Sequence, residues 1–425
     1  MRRRIRSQAR SSSDNETADV LPWIFLSRPD EVIFMKTSEE IVKMAEEMRE
    51  EIISLRRHFH THPETSWNEY ETQKAIISYL EGLGLNCVKA AETGVIATLA
   101  GPRSDGRILG IRADIDALPI KEETGLPFAS ANEGVSHACG HDNHIAMGLA
   151  AAKLLTEMKD ELPVTVRFIF QPAEEAIHRC GAKVMRDHPL VRECSRMIAM
   201  HIWSRIPAGY AGISEGPVMA SADTFDITVT GRGGHGAQPQ ETVDPVPAAA
   251  ELVTSLQRIV SREIDPLDTA VLSVTSFHAG TTYNVIPDAA TLSGTVRTYS
   301  EKVSEEMPVR MERICRGVGE ASGTKILLDY HRGNPPLTND AAAASCAKKA
   351  AAPVFGTDKI IDIRFMVSED FADYVQPKCM LFLGGGLADE EKRFPQHSPY
   401  YVIDENVLPL GVSYFVNYVF TYGAE

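Results

Sequence analysis

The sequence predicts an α/β protein in which a larger domain, with a mixed central sheet flanked by helices, carries an inserted ferredoxin-like α+β domain. Three observations favour this class. Helical and strand-like segments alternate along both ends of the chain, several apolar strands end in acidic residues or histidine, and the middle has its own β-α-β-β-α-β order. A chain of 425 residues is long enough for about two domains.

Composition argues against several kinds of partner. The net charge is −15, which disfavours nucleic acid because phosphates need a basic surface. The longest apolar runs are too short to span a bilayer, so we expect no membrane partner. Seven cysteines without regular spacing are typical of a reducing compartment, and we expect a cytoplasmic protein.

The first 35 residues differ from the rest of the chain. Five arginines lie within residues 1–10, and three serines follow at 11–13. This composition leaves organellar targeting open. We favour a disordered leader or a true start at Met35, because a good helix start follows it. The predicted divisions are a leader 1–35, the larger domain 36–218 and 336–425, and the inserted domain 219–335.

Early segments predict helices and strands before any site appears. The predicted helices are 38–58 and 69–83, and the predicted strands are 86–99 and 107–114. His58, His60 and His62 alternate at the end of the first helix. Alternating histidines can bind metal on a strand, but we expect these to close the helix and pack the turn.

One stretch of eight residues, His137-Ala-Cys139-Gly-His141-Asp142-Asn-His144, holds three imidazoles, a thiol and a carboxylate. Thiolate and imidazole are the preferred ligands of zinc and its neighbours. Cys139 and His141 are two residues apart, so a looped backbone can turn both to one side. Asp142 occupies the expected N-cap position of a helix that starts at residue 143. The stretch therefore predicts a metal site at the mouth of a helix.

Pairs of carboxylates follow two predicted strands. Asp114 and Asp116 end the strand 107–114, where α/β sheets place their sites, although an acidic turn is the alternative. Glu174 and Glu175 follow a strand over 164–170. Adjacent side chains of an extended backbone point apart, so one can bind metal while the other faces substrate. That division suits metal-assisted hydrolysis, whereas a solvated pair is the simpler interpretation.

Further histidines lie near strand and helix ends. His201 follows the strand 197–200, and His397 lies in a loop before a last helix over 404–422. His235 lies in a glycine-rich loop of the inserted domain, residues 231–239, which lacks the Lys-Ser/Thr of a phosphate loop. This loop is either a tight hairpin or a mobile segment that presents His235. The inserted domain has predicted strands 225–230, 270–277, 291–298 and 325–330, and helices 245–262 and 300–321.

Nine motifs, taken in order, resemble the aminoacylase/carboxypeptidase family of metallopeptidases. The likeness is closest to its amidohydrolase branch, with hippurate hydrolases, N-acyl-amino-acid deacylases and indole-acetyl-amino-acid hydrolases. It extends over about residues 40–422. The motifs are Arg112-Ala-Asp114-Ile-Asp116-Ala-Leu-Pro119, His137-Ala-Cys139-Gly-His141-Asp142, Pro172-Ala-Glu174-Glu175, Met200-His201, Gly233-Gly-His235-Gly-Ala, Asn284-Val-Ile-Pro-Asp288, Gly294-Thr-Val-Arg297, Ser368-Glu-Asp370-Phe and His397-Ser-Pro-Tyr-Tyr-Val-Ile-Asp404-Glu405.

The resemblance implies two divalent metal ions, manganese or zinc, with cobalt as a further option. Cys139 is then the ligand that both ions share. His141 and His201 complete the shell of one ion, and Glu175 and His397 complete the shell of the other.

The resemblance also implies roles around the metals. Glu174 is the general base, and Asp114 steadies the ligands from behind. The larger domain is catalytic, and the inserted domain is a lid that carries a homodimer contact. From that lid, His235 reaches the partner's active site, and Asn284 and Arg297 contact substrate.

The predicted function is hydrolysis of the amide bond of a small-molecule N-acyl amino acid to a carboxylic acid and a free amino acid. Glu174 takes the proton of metal-activated water, and Arg297 matches a free carboxylate. A carboxypeptidase or dipeptidase using the same site is the alternative. A non-catalytic binding module is a third interpretation. It is disfavoured because Glu174 and all candidate ligands are present in the sequence.

Overall fold

The computed structural model describes residues 36–425, and the predicted leader 1–35 lies outside the described residues. The helices are α1 (Ser38–Glu47), α2 (Arg49–Thr61), α3 (Tyr70–Gly82), α4 (His141–Glu157), α5 (Gly181–Met185), α6 (Pro189–Arg192), α7 (Pro245–Arg258), α8 (Glu301–Ser322), α9 (Ala341–Phe355) and α10 (Leu408–Gly423). Among the helices of this range, none combines the length and apolar character needed to cross a bilayer.

Strands in the same range form two larger sheets and two short ribbons. They are β1 (Asn86–Ala90), β2 (Gly94–Leu99), β3 (Ile108–Asp114), β4 (Thr165–Gln171), β5 (Arg196–Pro207), β6 (Ala211–Gly212), β7 (Gly216–Met219), β8 (Asp223–Thr230), β9 (Gly234–His235), β10 (Ala270–Ala279), β11 (Val285–Ile286), β12 (Ala289–Thr298), β13 (Lys325–His331), β14 (Leu337–Asn339), β15 (Ile360–Ile361) and β16 (Lys378–Gly386).

The main sheet is mixed, as predicted. Its order is β1-β2-β4-β3-β5-β16-β6-β15. The central strands β4, β3, β5 and β16 are parallel, whereas β1, β2 and β6 join antiparallel. The central strands are almost continuously buried, because both faces of a parallel sheet are covered.

The register of the parallel strands brings chemically important residues to one level. Asp114 pairs with Gln171, and Arg112 pairs with Ala199. Since parallel strands advance together, His201 on β5 lies level with Asp114 on β3. One edge of the sheet therefore collects the end of β3, the end of β4 and part of β5.

Helix α4 is buried on almost every side, including its first turn. A helix with this burial must be packed all round, and α4 contacts α2, α10 and β3. Gly140 precedes it with a φ of +95°. A Cβ atom at Gly140 would lie 2.6 Å from the Tyr401 hydroxyl, so a glycine is required where the chain enters the helix.

Asp142 ties the start of α4 to α2. Its carboxylate lies 2.7 Å from Arg56 Nε and 2.8 Å from His60 Nδ1, and all three side chains are buried. Burial alone would raise the pKa of Asp142, but Arg56 and then His60 hold it below its usual range. The predicted N-cap role of Asp142 is wrong, because the helix begins at His141, two residues earlier than predicted, and the carboxylate forms this ion pair. His60 lies in the last turn of α2 and contacts Asp142 and Glu122.

Three predicted elements are wrong in extent. The predicted strand 197–200 continues to Pro207 as β5, so His201 lies inside the strand and does not follow it. The predicted helix 38–58 is two helices, because the chain turns at Met48 and lets α1 pack against α9 and α10 while α2 packs against α4. The predicted strand 86–99 is the hairpin β1-β2. Ala91 and Glu92 adopt positive φ in its turn. The Asn-Gly or Asp-Gly pair that usually indicates such a turn is not present at these positions of the sequence.

The lid domain forms the second sheet, with the antiparallel order β10-β12-β8-β13. Helices α7 and α8 pack on it, and burial alternates along β8 because only one face is covered. This is the predicted ferredoxin-like arrangement. The short strands β7 and β14, one on each side of the insertion, pair with each other. The division at 219 and 335 stays a prediction.

We predict that Asp142→Asn destabilises the chelated protein by about 3–5 kcal/mol at pH 7, because it leaves Arg56 buried beside a neutral group. Urea titration of wild type and variant measures this loss. The folded pKa of Asp142 is lowered, so its stabilisation exists above an unfolded pKa of about 3.9 and fades as the pH falls below that value. The difference in the free energy of unfolding between wild type and variant therefore becomes smaller in acid. Asp187→Asn, at an exposed ion pair, is the control, and equal loss in both variants would contradict the assignment.

Candidate metal centre and active site

Five predicted ligands converge at the edge of the main sheet, and we call them the Cys139 cluster: Cys139, His141, Glu175, His201 and His397. The ligand atoms of Cys139, His141 and His201 lie within 4.8 Å of one another, and so do those of Cys139, Glu175 and His397. Ligands bound 2.0–2.3 Å from one ion lie roughly 3–4.5 Å apart. The spacing therefore fits two adjoining cation sites with one thiol in common.

Backbone carbonyls fix which imidazole nitrogens face this thiol. Nδ1 of His141 donates to the Asp116 carbonyl at 2.8 Å, and Nδ1 of His201 donates to the Ile202 carbonyl at 2.7 Å. A carbonyl only accepts, so in each ring Nδ1 carries a hydrogen and Nε2 is left for a ligand. Nε2 of His201 lies 3.5 Å from Cys139 Sγ.

Two buried atoms of the cluster have no hydrogen-bond partner within residues 36–425, namely His141 Nε2 and Glu175 Oε1. Buried polar atoms in proteins are almost always satisfied, so each of these calls for a group that the chain does not supply. Glu175 Oε1 also lies 3.3 Å from His397 Nε2. Nitrogen, carboxylate and thiolate donors together suit zinc and related divalent ions, so the residues present fit a pair of cations.

The charges in the cluster favour cations as well. Burial raises the pKa of Cys139 well above its usual range, and neighbouring carboxylates, Glu175 first, raise it further. Burial would lower the pKa of His141, but nearby carboxylates, Asp114 first, raise it to about 10. Both groups therefore hold a proton until a cation displaces it, which couples metal binding to proton release.

Asp114 lies behind the cluster, next to His141. Its carboxylate accepts from Arg112 at 2.6 Å and from His144 Nδ1 at 2.5 Å. Nε2 of His144 accepts from the Ile202 N–H at 2.9 Å. Both nitrogens of His144 are thus engaged within the protein, so this third imidazole is not open to a metal. The Asp114 oxygen that accepts from Arg112 lies 3.8 Å from His141 Nε2.

Glu174 lies between the cluster and a second acidic group. Its carboxylate is within 4.8 Å of those of Glu369 and Asp370, and the Asp370 N–H donates to it at 3.4 Å. Burial, followed by the charges of Glu369, Glu175 and Asp370, raises the pKa of Glu174 well above its usual range. A carboxylate in this environment takes up a proton readily, as a general base must.

Arg112 is the buried cation of this second group. It donates to Glu369 at 2.9 Å and to Asp370 at 2.7 Å. It also donates to Asp114 at 2.6 Å and to the side-chain oxygen of Gln171 at 3.0 Å. Sequence reasoning assigned no role to Arg112, Glu369 or Asp370, although all three lie in its motifs. The available signal was an arginine inside an otherwise apolar strand, which must be paired when buried.

Two residues with a strained backbone lie at the candidate ligands. Ala173, directly before Glu174, has a φ of +54°, and His397 has a φ of +65°. Each non-glycine residue in this region costs about 1–3 kcal/mol and persists only where its surroundings hold it. The chain is therefore fixed in an unfavourable conformation where it presents carboxylate and imidazole groups.

The predicted lid residues stand apart from the Cys139 cluster. Within residues 36–425, no hydrogen bond or ion pair joins His235, Asn284 or Arg297 to it. His235 pairs with Val285 between β9 and β11, and both His235 and Asn284 are exposed. Nδ1 of His235 accepts from the Ala237 N–H at 3.0 Å, so its Nε2 carries the hydrogen. Arg297 is half-buried in β12 and takes part in no salt bridge of the described residues.

Comparison with known proteins identifies the family of this chain. The model of peptidase family M20/M25/M40 matches residues 110–421. An N-acetylcysteine deacetylase of Bacillus subtilis (strain 168) is 40% identical over 366 residues, covering 86% of this chain and 94% of the relative. An N-acyl-L-amino acid amidohydrolase of Geobacillus stearothermophilus is 43% identical over 304 residues, covering 71% and 82%.

A solved structure extends the likeness to three dimensions. The crystal structure of a dinuclear metal binding peptidase from the M20 family, from Bacillus subtilis, is 36% identical with a TM-score of 0.77. The match covers 88% of this chain and 98% of that one. The resemblance predicted from the nine motifs is confirmed, together with the fold and the hydrolase class: the chain belongs to peptidase family M20/M25/M40.

Proposed function

We propose that the protein is a metal-dependent amidohydrolase that cleaves N-acyl amino acids to a carboxylic acid and a free amino acid. The observation that carries this proposal is the Cys139 thiol, which belongs to two ligand groups with Glu174 beside them. Relatives named for deacetylation and for N-acyl amino acid hydrolysis support the choice of substrate class. A dipeptidase or carboxypeptidase with the same site is the alternative.

In this proposal, the Cys139 cluster holds two divalent cations, manganese, zinc or cobalt. His141 and His201 serve one ion, Glu175 and His397 serve the other, and the thiolate serves both. When bound, the cations would lower the pKa of water toward about 7 and polarise the amide carbonyl. Asp114 orients the ligands from behind through its contacts with the neighbouring imidazoles.

Glu174 moves the proton. Its carboxylate accepts a proton from the attacking water as the water oxygen bonds to the amide carbon. The carboxyl group then gives that proton to the nitrogen as the carbon–nitrogen bond breaks, and the amino acid leaves as the free amine. Arg112 fixes the Glu369 and Asp370 carboxylates beside Glu174, and so keeps the base in place.

The lid supplies the remaining contacts in a homodimer. His235 of one subunit donates from Nε2 to the oxyanion that forms in the partner's site. His235 is exposed, and within residues 36–425 it makes no hydrogen bond or ion pair to the Cys139 cluster of its own subunit. Both facts support a role in the site of the partner subunit. Arg297 takes the carboxylate of the amino-acid half, because its guanidinium fork matches a carboxylate. Asn284 adds a polar contact to substrate.

A cytoplasmic location completes the proposal. All seven cysteines are free, which suits a reducing compartment. A site that depends on one thiolate also benefits from such conditions, since oxidation of Cys139 would remove the shared ligand.

We predict that Glu174→Gln binds metal like the wild type and loses turnover by roughly 10²–10⁴-fold, because the amide cannot accept the proton. Amine release is measured with N-acetyl, N-benzoyl and indole-acetyl amino acids and with free-amino dipeptides, using chelated enzyme reloaded with one metal at a time. Glu133→Gln, at an exposed position, is the control. Retained turnover in Glu174→Gln would exclude Glu174 as the base, and cleavage of dipeptides alone would favour the alternative function.

We also predict that two inactive variants restore each other when subunits exchange. In a mixed dimer of His235→Ala and Glu174→Gln, one site combines the intact Glu174 of one subunit with the intact His235 of the other. Random exchange of equal amounts would restore about a quarter of the wild-type sites. Mixing His235→Ala with the double variant His235→Ala/Glu174→Gln cannot restore a site and is the control. A mixture as inactive as its components would contradict the cross-subunit role.

A further inference from the structure

Glu69 is a completely buried carboxylate that the proposed chemistry does not use. It directly precedes α3. One oxygen accepts from the Thr93 hydroxyl at 2.6 Å, and the other accepts from the Ala173 N–H at 2.9 Å. Glu69 therefore links the start of a helix to the residue that precedes Glu174 and Glu175.

Ala173 is held in its strained conformation from both sides. Its N–H is bound by Glu69, and its carbonyl accepts from the Gly181 N–H at 3.0 Å. The chain returns so tightly that a Cβ atom at Gly181 would lie 1.7 Å from the Pro172 carbonyl oxygen. Alanine gains about 1–3 kcal/mol by leaving the left-handed region, so some contact must oppose that relaxation.

The direction of the next two side chains depends on this backbone. A change of φ at Ala173 would rotate the chain that presents Glu174 and Glu175. The Glu175 N–H is bound separately, by the Asp116 carboxylate at 3.1 Å. Of the two carboxylates that hold this turn, Asp116 lies beside the Cys139 cluster, whereas Glu69 acts from outside it.

We propose that Glu69 is a positioning residue for the turn that carries Glu174 and Glu175. Its hydrogen bond to Ala173 keeps the left-handed backbone that directs one carboxylate to substrate and the other to a metal. This inference rests on the proposed function of that pair.

A glutamine at position 69 would keep the essential contact. Burial raises the pKa of Glu69 to about 7, so the neutral acid is accessible near neutral pH. The neutral acid still offers an oxygen to the Ala173 N–H, and its hydroxyl can donate to Thr93. Glutamine reproduces that pattern, with an oxygen that accepts and an amide that donates.

The test compares Glu69→Ala, Glu69→Gln and the double variant Glu69→Ala/Ala173→Gly as full-length, metal-loaded enzymes. Glu69→Ala lowers kcat on the order of 10²-fold, the usual effect of displacing a reacting group by about 1 Å, with little change in KM. Glu69→Gln keeps most of the wild-type kcat. Glycine at 173 adopts positive φ without steric cost, so the double variant recovers much of the lost kcat.

Glu64→Ala is the matched control. The Glu64 carboxylate accepts from the N–H groups of Glu71 and Thr72 in the first turn of the same helix, but not from Ala173. It should lower the unfolding temperature and leave kcat unchanged. The inference is overturned if Glu69→Ala slows turnover no more than Glu64→Ala, or if glycine at 173 gives no recovery. If Glu69→Ala does not fold, Glu69→Asp, one methylene shorter, replaces it in the same comparisons.

Metal binding gives a readout independent of turnover. Glu175 belongs to one of the two three-residue ligand groups that share Cys139. In equilibrium dialysis, Glu69→Ala should therefore lower the affinity for one ion per chain more than the affinity for the other. Equal affinities to the wild type for both ions would contradict the inference. If the wild type released no amine from any N-acyl amino acid, the proposed function would fail, while dialysis would still test Glu69.

Discussion

The hydrogen bonds from His141 and His201 to two backbone carbonyls are the constraint on which the site depends. They turn both Nε2 atoms toward Cys139: His201 Nε2 lies 3.5 Å from the Cys139 sulfur, and His141 Nε2 has no hydrogen-bond partner within residues 36–425. Buried polar groups are almost always hydrogen-bonded or ligated, so His141 Nε2 is oriented for a group from outside the chain. The chemistry of the cluster follows from this orientation, because the fold places nitrogen, sulfur and carboxylate donors together in the combination that divalent cations bind.

The surrounding charges serve the same arrangement. Arg112 is surrounded by several carboxylates, and the excess of negative charge faces Glu174 and the Cys139 cluster. A second buried arginine, Arg56, holds Asp142 and with it the first turn of α4. Buried ion pairs contribute little net stability, but removing one partner is costly. Their value here is geometric, because they fix a carboxylate or a helix end to one position.

Sequence reasoning predicted the fold class, because the periodicity of helices and strands is a local feature. The residues that the family resemblance implies as ligands lie together in the structure. Residue type and spacing alone could not separate His144 from His141, and only the family resemblance did so. What sets His144 apart is a long-range contact, in which its Nε2 accepts from the Ile202 N–H on another strand. The pairing of Asp142 with Arg56, the turn at Met48 and the left-handed Ala173 are also set by packing between distant segments. No residue type in those stretches indicates these contacts and conformations. For this reason the sequence analysis misplaced the N-cap and the helix ends and assigned no role to Glu69.

The number of ions bound per chain tests the central claim most directly. Equilibrium dialysis of the chelated protein against manganese, zinc or cobalt should give two ions per wild-type chain. Cys139→Ser should lower the affinity for both ions, because the thiol belongs to each ligand group. Cys315→Ser is the control, because it changes a buried thiol of the lid domain, and it should still bind two ions per chain. A single ion in the wild type, or two tightly bound ions in Cys139→Ser, would contradict a centre built on one shared thiolate.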